Sequence, residues 1–205
     1  MEIANFIEHW NRQFFLVLNG PQNPDFTILA IARLLAEDAI YLVPVWLVWL
    51  WLRGDPARRG GLLMAFVAAE IALLINQLIP LVWFHPRPFM IPLGHTFVTH
   101  AADSSFPSDH IAFLAGIAIG LVCWRGGRKS GLVIGAMAVP VAWARIYLGI
   151  HFPLDMIGAV IVAAVATVIS MPLWPYVNGV IMPKLVTPVY RRVFSWPIRR
   201  GWVRD

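Results

Sequence analysis

The stretch Pro153–Val180, PLDMIGAVIVAAVATVISMPLWPYVNGV, opens a run that carries no charge between Asp155 and Lys184. A helix needs about 20 apolar residues to cross the hydrocarbon core of a bilayer, and this run is longer than that. Working outward, four more segments have the same character: Phe26–Leu52, Gly61–Phe84, Ser108–Trp124 and Gly131–Gly149. The composition agrees, with 59% of 205 residues hydrophobic and 13% charged, where soluble domains carry roughly 25% charged residues. So much apolar surface cannot be hidden inside a 23.0 kDa globule. Met1–Gly20 lacks a cationic start, and its apolar stretch Phe14–Leu18 is too short for a signal-peptide core. It reads as an amphipathic helix at the membrane interface. The expected fold is an all-α integral membrane six-helix bundle: five transmembrane spans plus the N-terminal amphipathic helix, over residues 1–182. Residues 183–205 form a basic cytoplasmic amphipathic tail, with Trp196 and Trp202 among arginines.

Orientation follows from Lys and Arg. The first connection holds Arg53, Arg58 and Arg59, the third Arg125, Arg128 and Lys129, and the tail Lys184, Arg191, Arg192, Arg199, Arg200 and Arg204. Five spans put these twelve on one side, which the positive-inside rule makes cytoplasmic. Only Arg12, Arg33, Arg87 and Arg145 remain for the other half. The net charge of +5 is therefore a topology signal, and no nucleic-acid partner is expected. The lone Cys123 excludes an intramolecular disulfide framework and a Cys-based zinc site.

The same topology gathers the reactive side chains outside. The long outer loop Trp83–Pro107 and the turn Gly149–Phe152 share one face, and five of the six histidines lie in or beside them: His85, His95, His100, His110 and His151. His151 and Asp155 are four apart, the spacing at which a carboxylate fixes an imidazole tautomer and leaves the other nitrogen as base or nucleophile. Arg87 and Arg145 read as a clamp for phosphate, because a guanidinium is a permanently charged planar fork. Ser108 stands where an N-cap belongs, at a helix start that suits anions, and His110 in the first turn can donate a proton to a leaving oxygen. Taken singly, each has a structural reading as anchor, cap or helix pair. Their joint occurrence on one face is what points to a site.

In order along the chain, His85-Pro86-Arg87-Pro88-Phe89, Phe106-Pro107-Ser108-Asp109-His110 and Arg145…His151…Asp155 resemble the three motifs of the type 2 phosphatidic acid phosphatase superfamily. They look closer to the bacterial undecaprenyl-diphosphate phosphatases of the bacitracin-resistance type. The resemblance covers roughly Leu74–Ile161 directly. It implies hydrolysis of undecaprenyl diphosphate to undecaprenyl phosphate and inorganic phosphate at the outer face of a bacterial inner membrane, recycling the cell-wall lipid carrier. It further implies that His151, oriented by Asp155, attacks phosphorus and becomes a phosphohistidine, that His110 protonates the leaving lipid phosphate, and that Arg87, Ser108 and Arg145 hold the phosphate oxygens. Neither cofactor nor metal is required. A metal reading of His95, His100, Asp103 and His110 matches no ligand spacing.

Three positions depart from the superfamily pattern. Pro80 stands where a Lys is usual, Asp109 where a Gly precedes the acid His, and Ala144 where a Ser precedes the second Arg. His85 or a loop histidine is a candidate substitute for the Lys, while Asp109 near a diphosphate needs a partner. Glu37 is a candidate for shaping the pocket; the alternative for Arg33, Glu37 and Asp38 is mutual pairing that locks helices together. Rival substrates are phosphatidylglycerol phosphate and a lipid A phosphate, and a rival reaction is phosphotransfer to a second lipid. A small anion transporter is the rival class, but the paired broken helices it would need are not found. Membrane lipids are the surrounding partners, and the oligomeric state is left open.

Overall fold

The computed structural model describes residues 2–123 and 127–205; Met1, together with Trp124 and Arg125 of the expected third span and connection, lies outside the described residues. Every regular element among the described residues is helical. Helix α1 (Glu2–Leu18) leads to α2 (Phe26–Arg33), a π turn (Leu34–Asp38), a 3₁₀ turn (Ala39–Tyr41) and α3 (Leu42–Arg53). Then follow α4 (Pro56–Leu78), α5 (Asp109–Cys123), α6 (Arg128–Tyr147) and α7 (Pro153–Ser170).

Three continuous helical stretches are long and apolar enough to cross a bilayer: Pro56–Leu81, Arg128–Tyr147 and Pro153–Val193. The expected first span, Phe26–Leu52, is not one continuous α-helix: it is interrupted at Leu34–Tyr41, where Glu37 and Asp38 stand. The expected third span has 15 helical residues, Asp109–Cys123. The helix beginning at Pro153 runs through residue 182 and on to Val193. Beyond it the chain folds back: Arg204 N–H donates to Leu52 O (2.9 Å). The guanidinium of Arg59, read from the sequence only as a topology marker, is fully buried. It donates to Trp51 O (3.1 Å) and Arg204 O (2.6 Å) and lies over the Tyr190 ring at 3.7 Å. One cation thus ties the first connection to the tail.

Helices α4, α5 and α7 pack as the core, with α6 against α5. Small residues let α4 and α5 approach closely: a Cβ on Gly116 would stand 2.7 Å from Ala69 Cα, and one on Gly120 2.7 Å from Ala65 Cα. In lipid, where water does not drive helices together, such close contact is a main source of association. Gly116→Leu is therefore expected to destabilise the bundle by about 1–3 kcal/mol, read as a lower midpoint of thermal unfolding in detergent.

Helix α1 is amphipathic as expected, with Phe6, Trp10, Phe14 and Val17 exposed along one stripe. Its polar side, however, grips the bundle rather than water. Asn11 Oδ1 accepts from Leu154 N–H at 3.0 Å. Asn19 bonds both ways with the His95 backbone (2.7 and 2.9 Å) and donates to Tyr147 O at 3.0 Å. The Phe15 and Phe152 rings meet at 5.2 Å.

Candidate active site

The C-terminus of α6 sets the geometry. Gly149 lies in the left-handed region (φ +79°), where a Cβ would strike the His95 carbonyl. Gly149 N–H donates to Ile146 O (3.0 Å) and Ile150 N–H to Arg145 O (3.2 Å), the paired bonds of a Schellman stop. The chain reverses within this turn, so Arg145 before it and His151 after it converge.

Around His151 the partners define the tautomer. On one side of the ring, Nδ1 lies 2.9 Å from Ser105 O and 3.2 Å from Asp155 Oδ2. On the other, Nε2 lies 3.1 Å from Arg87 Nη1 and 3.3 Å from Arg145 Nη2. Guanidinium nitrogens can only donate, so Nε2 is the acceptor and Nδ1 carries the proton. Burial, followed by the charges of Arg145 and Arg87, holds this imidazole well below the ordinary histidine range. It is therefore neutral at physiological pH, with its Nε2 lone pair between two cations.

Asp155 is fully buried and held by its own helix start: Oδ2 accepts from Phe152 N–H at 2.7 Å. The same oxygen accepts a short hydrogen bond from Ser105 Oγ. The sequence reading missed Ser105. Its only local signal is a Ser-Ser pair before Phe106-Pro107, and its partners are 46 and 50 residues away. Ser105→Ala removes a hydrogen bond to a buried carboxylate, worth about 1.5–3 kcal/mol, or about 10- to 100-fold. The expected result is a fall in kcat of that order with KM little changed, measured as steady-state phosphate release.

The arginines are fixed from behind. Arg87 donates Nη1 to Ile150 O (2.8 Å) and Nε to Asp103 Oδ1 (2.7 Å). Arg145 donates Nη1 to Ala36 O (3.1 Å), a carbonyl on the π turn between α2 and α3. Glu37 on the same turn lies within electrostatic reach of Arg145. Arg33 bonds Phe97 O (2.8 Å), tying α2 to the loop between α4 and α5; the mutual pairing considered for it has no bond here.

Ser108 precedes α5 as expected, with its backbone N–H on Asp155 O (3.3 Å). Its buried hydroxyl and Arg145 Nε are polar atoms without a protein partner. Buried polar groups are nearly always paired, so an anion's oxygens would complete this set. His110 stands half-buried in the first turn of α5, within electrostatic reach of Arg145, His100 and Arg87. Asp109 finds the partners its charge requires: Asn76 Nδ2 at 2.9 Å and Gln77 Nε2 at 3.2 Å.

Pro80, at the missing Lys position, lines a cavity of about 220 Å³ together with Asn76, Gln77, Arg87, Asp103 and Asp109. His85 lies elsewhere, in a cleft beneath α1. His100 from the loop does reach the centre, its ring 6.3 Å from that of His151. Burial, then Arg87 and Arg145, push His100 below the ordinary histidine range. Among the described residues, no three His, Cys, Asp or Glu side chains gather as a metal site.

In chemical terms the arrangement is a neutral, oriented imidazole facing two guanidiniums, a free hydroxyl and a second histidine. Residues 60–178 match the model of the PAP2 superfamily. The chain is 34% identical to a candidate undecaprenyl-diphosphatase, YbjG, of Escherichia coli (strain K12), over 97% of this chain and 100% of that one. It is also 34% identical to the undecaprenyl-diphosphatase BcrC of Bacillus subtilis (strain 168), over 76% and 79% of the two chains. Among solved structures, the fold is similar to that of LpxE from Aquifex aeolicus, with a TM-score of 0.59 and 22% identity over 78% of this chain and 93% of that one. The match spans all three motifs and the helices that carry them, and the chain belongs to the PAP2 superfamily.

Proposed function

We propose that this protein hydrolyses undecaprenyl diphosphate at the outer face of a bacterial plasma membrane, through a phosphohistidine on His151. The observation that carries this reading is the placement of His151 Nε2, which meets Arg87 Nη1 at 3.1 Å and Arg145 Nη2 at 3.3 Å while Nδ1 is anchored on the opposite side. A phosphoryl group drawn between the two arginines is presented to that lone pair.

The Nε2 lone pair forms a bond to the terminal phosphorus, and the bond from phosphorus to the bridging oxygen breaks. His110 gives that oxygen a proton, so undecaprenyl phosphate leaves. Nδ1–H stays on His151 and is stabilised by Asp155 as the ring gains positive charge. Water then adds to the phosphoryl group, losing its proton to His110, and the P–N bond breaks to restore neutral His151. Arg87, Arg145 and Ser108 hold the equatorial oxygens, where the charge of such a transition state is spread.

The outward site is supported by the basic residues Arg53, Arg58, Arg128 and Lys129 at the opposite ends of the helices from His151. Substrate identity is supported by the two relatives named above and is tested by offering purified protein undecaprenyl diphosphate, phosphatidylglycerol phosphate and phosphatidic acid side by side. The expected result is fastest release of phosphate from undecaprenyl diphosphate; faster release from either phospholipid overturns the assignment. Turnover should persist in excess EDTA, and loss that a divalent ion restores would replace this mechanism with a metal-assisted one.

A further inference from the structure

His85 has no part in the chemistry above, yet it lies against the back of the catalytic carboxylate. Its Nδ1 is 3.9 Å from Asp155 Oδ1, the oxygen turned away from His151. Both atoms are buried, and neither has a hydrogen-bond partner. On the far side of the ring, Nε2 is 3.5 Å from Glu8 Oε2 of helix α1. The flanks are closed by Trp83, with ring centroids 5.5 Å apart, and Phe152 at 5.3 Å. These contacts leave His85 few directions in which to find a partner.

We propose that His85 is a positioning residue: its ring bridges Glu8 and Asp155, closing the Oδ1 side of the carboxylate and keeping Oδ2 turned toward His151. The inference rests on the reading of His151 as nucleophile and Asp155 as its orienting group. The charged groups facing His85 are Glu8 from α1 and Asp155 from α7. Arg12 is bound to the other oxygen of Glu8 at 2.7 Å, and Asn11 Nδ2 donates to Oε2 at 3.1 Å. Arg87, two residues on, spends its guanidinium on Asp103, Ile150 O and His151. Each ring nitrogen of His85 thus faces a carboxylate oxygen, one from α1 and one from α7.

This gives the amphipathic helix a part in catalysis. The polar face of α1 bears Glu8 at the end of a line of side chains, Glu8–His85–Asp155–His151, and Asn11 pins the same helix to the start of α7. Because His85 opens under α1 and away from the cavity that holds Pro80 and Arg87, its role is to act through Asp155 and not to take the place of the missing Lys on phosphate.

The test is steady-state phosphate release from undecaprenyl diphosphate by full-length wild-type protein, His85→Gln and Glu8→Gln. Without the ring against Oδ1, the Asp155 carboxylate is no longer held toward His151, so kcat should fall by about 10-fold in His85→Gln. Glu8→Gln should lower it less, with KM little changed in both. Glu8 is only partly buried, so its variant decides alone if His85→Gln does not fold. A kcat equal to that of wild type, or an effect on KM alone, overturns the inference. If His151→Ala is inactive while kcat stays unchanged in these two variants, only this inference fails; if His151→Ala turns over, the underlying reading fails.

Discussion

His151→Ala should lower kcat for phosphate release by at least about 10,000-fold, as loss of a nucleophile does in enzymes that form a covalent intermediate. The reason is positional as well as chemical. Nε2 is the one lone pair directed between Arg87 and Arg145, and the histidine that stands 6.3 Å away, His100, lacks the Nδ1 anchor that Ser105 O and Asp155 supply. The substitution leaves a space inside a turn that Gly149 and the bonds of Ile150 and Phe152 to Arg145 and Asp155 still hold. The variant should therefore keep its wild-type elution from a sizing column in detergent. Wild-type protein quenched during turnover should carry phosphate on histidine, stable to alkali and labile to acid, and the variant should not. Turnover retained by a folded His151→Ala protein would end the nucleophile assignment.

Arg145→Lys is the second large effect, and the more informative because it keeps the charge. Arg145 does two things with one planar group: Nη1 holds the carbonyl of Ala36 on the π turn, and Nη2 reaches the His151 lone pair. A lysine ammonium is a compact point on a flexible stem and cannot serve both directions at once. Losing one aligned donor from a buried transition-state site costs about 100- to 1,000-fold in kcat. The expected signature is a fall of that order in kcat/KM carried mainly by kcat, with the protein still folded. A change confined to KM would instead mean that Arg145 only helps to bind the ground state.

Much of this is legible in the sequence. Hydropathy marked the membrane segments because burial in lipid is demanded residue by residue along a helix. The order Arg87, Ser108, His110, Arg145, His151 and Asp155 was legible because the four-residue spacing of His151 and Asp155 and the helix start at Ser108 are local facts. Helical spacing misleads where a polar group is served by a distant element. The helix from Phe26 is interrupted at Leu34–Tyr41, where Glu37 and Asp38 break the apolar run and the carbonyl of Ala36 serves Arg145. Helical spacing pairs Arg33 with Glu37, but Arg33 bonds a loop carbonyl 64 residues away.

The sequence by itself determined that this chain is a helical membrane protein with three ordered motifs on one face, since those properties arise from periodicity and charge over short distances. Only the tertiary structure decided what stands behind the motifs. Ser105 on Asp155, the amides of Asn76 and Gln77 on Asp109, Arg59 on the tail, and α1 with Glu8 against His85 all join residues from separate elements. Such contacts have no spacing rule, because the packing of helices sets them and the chain order does not.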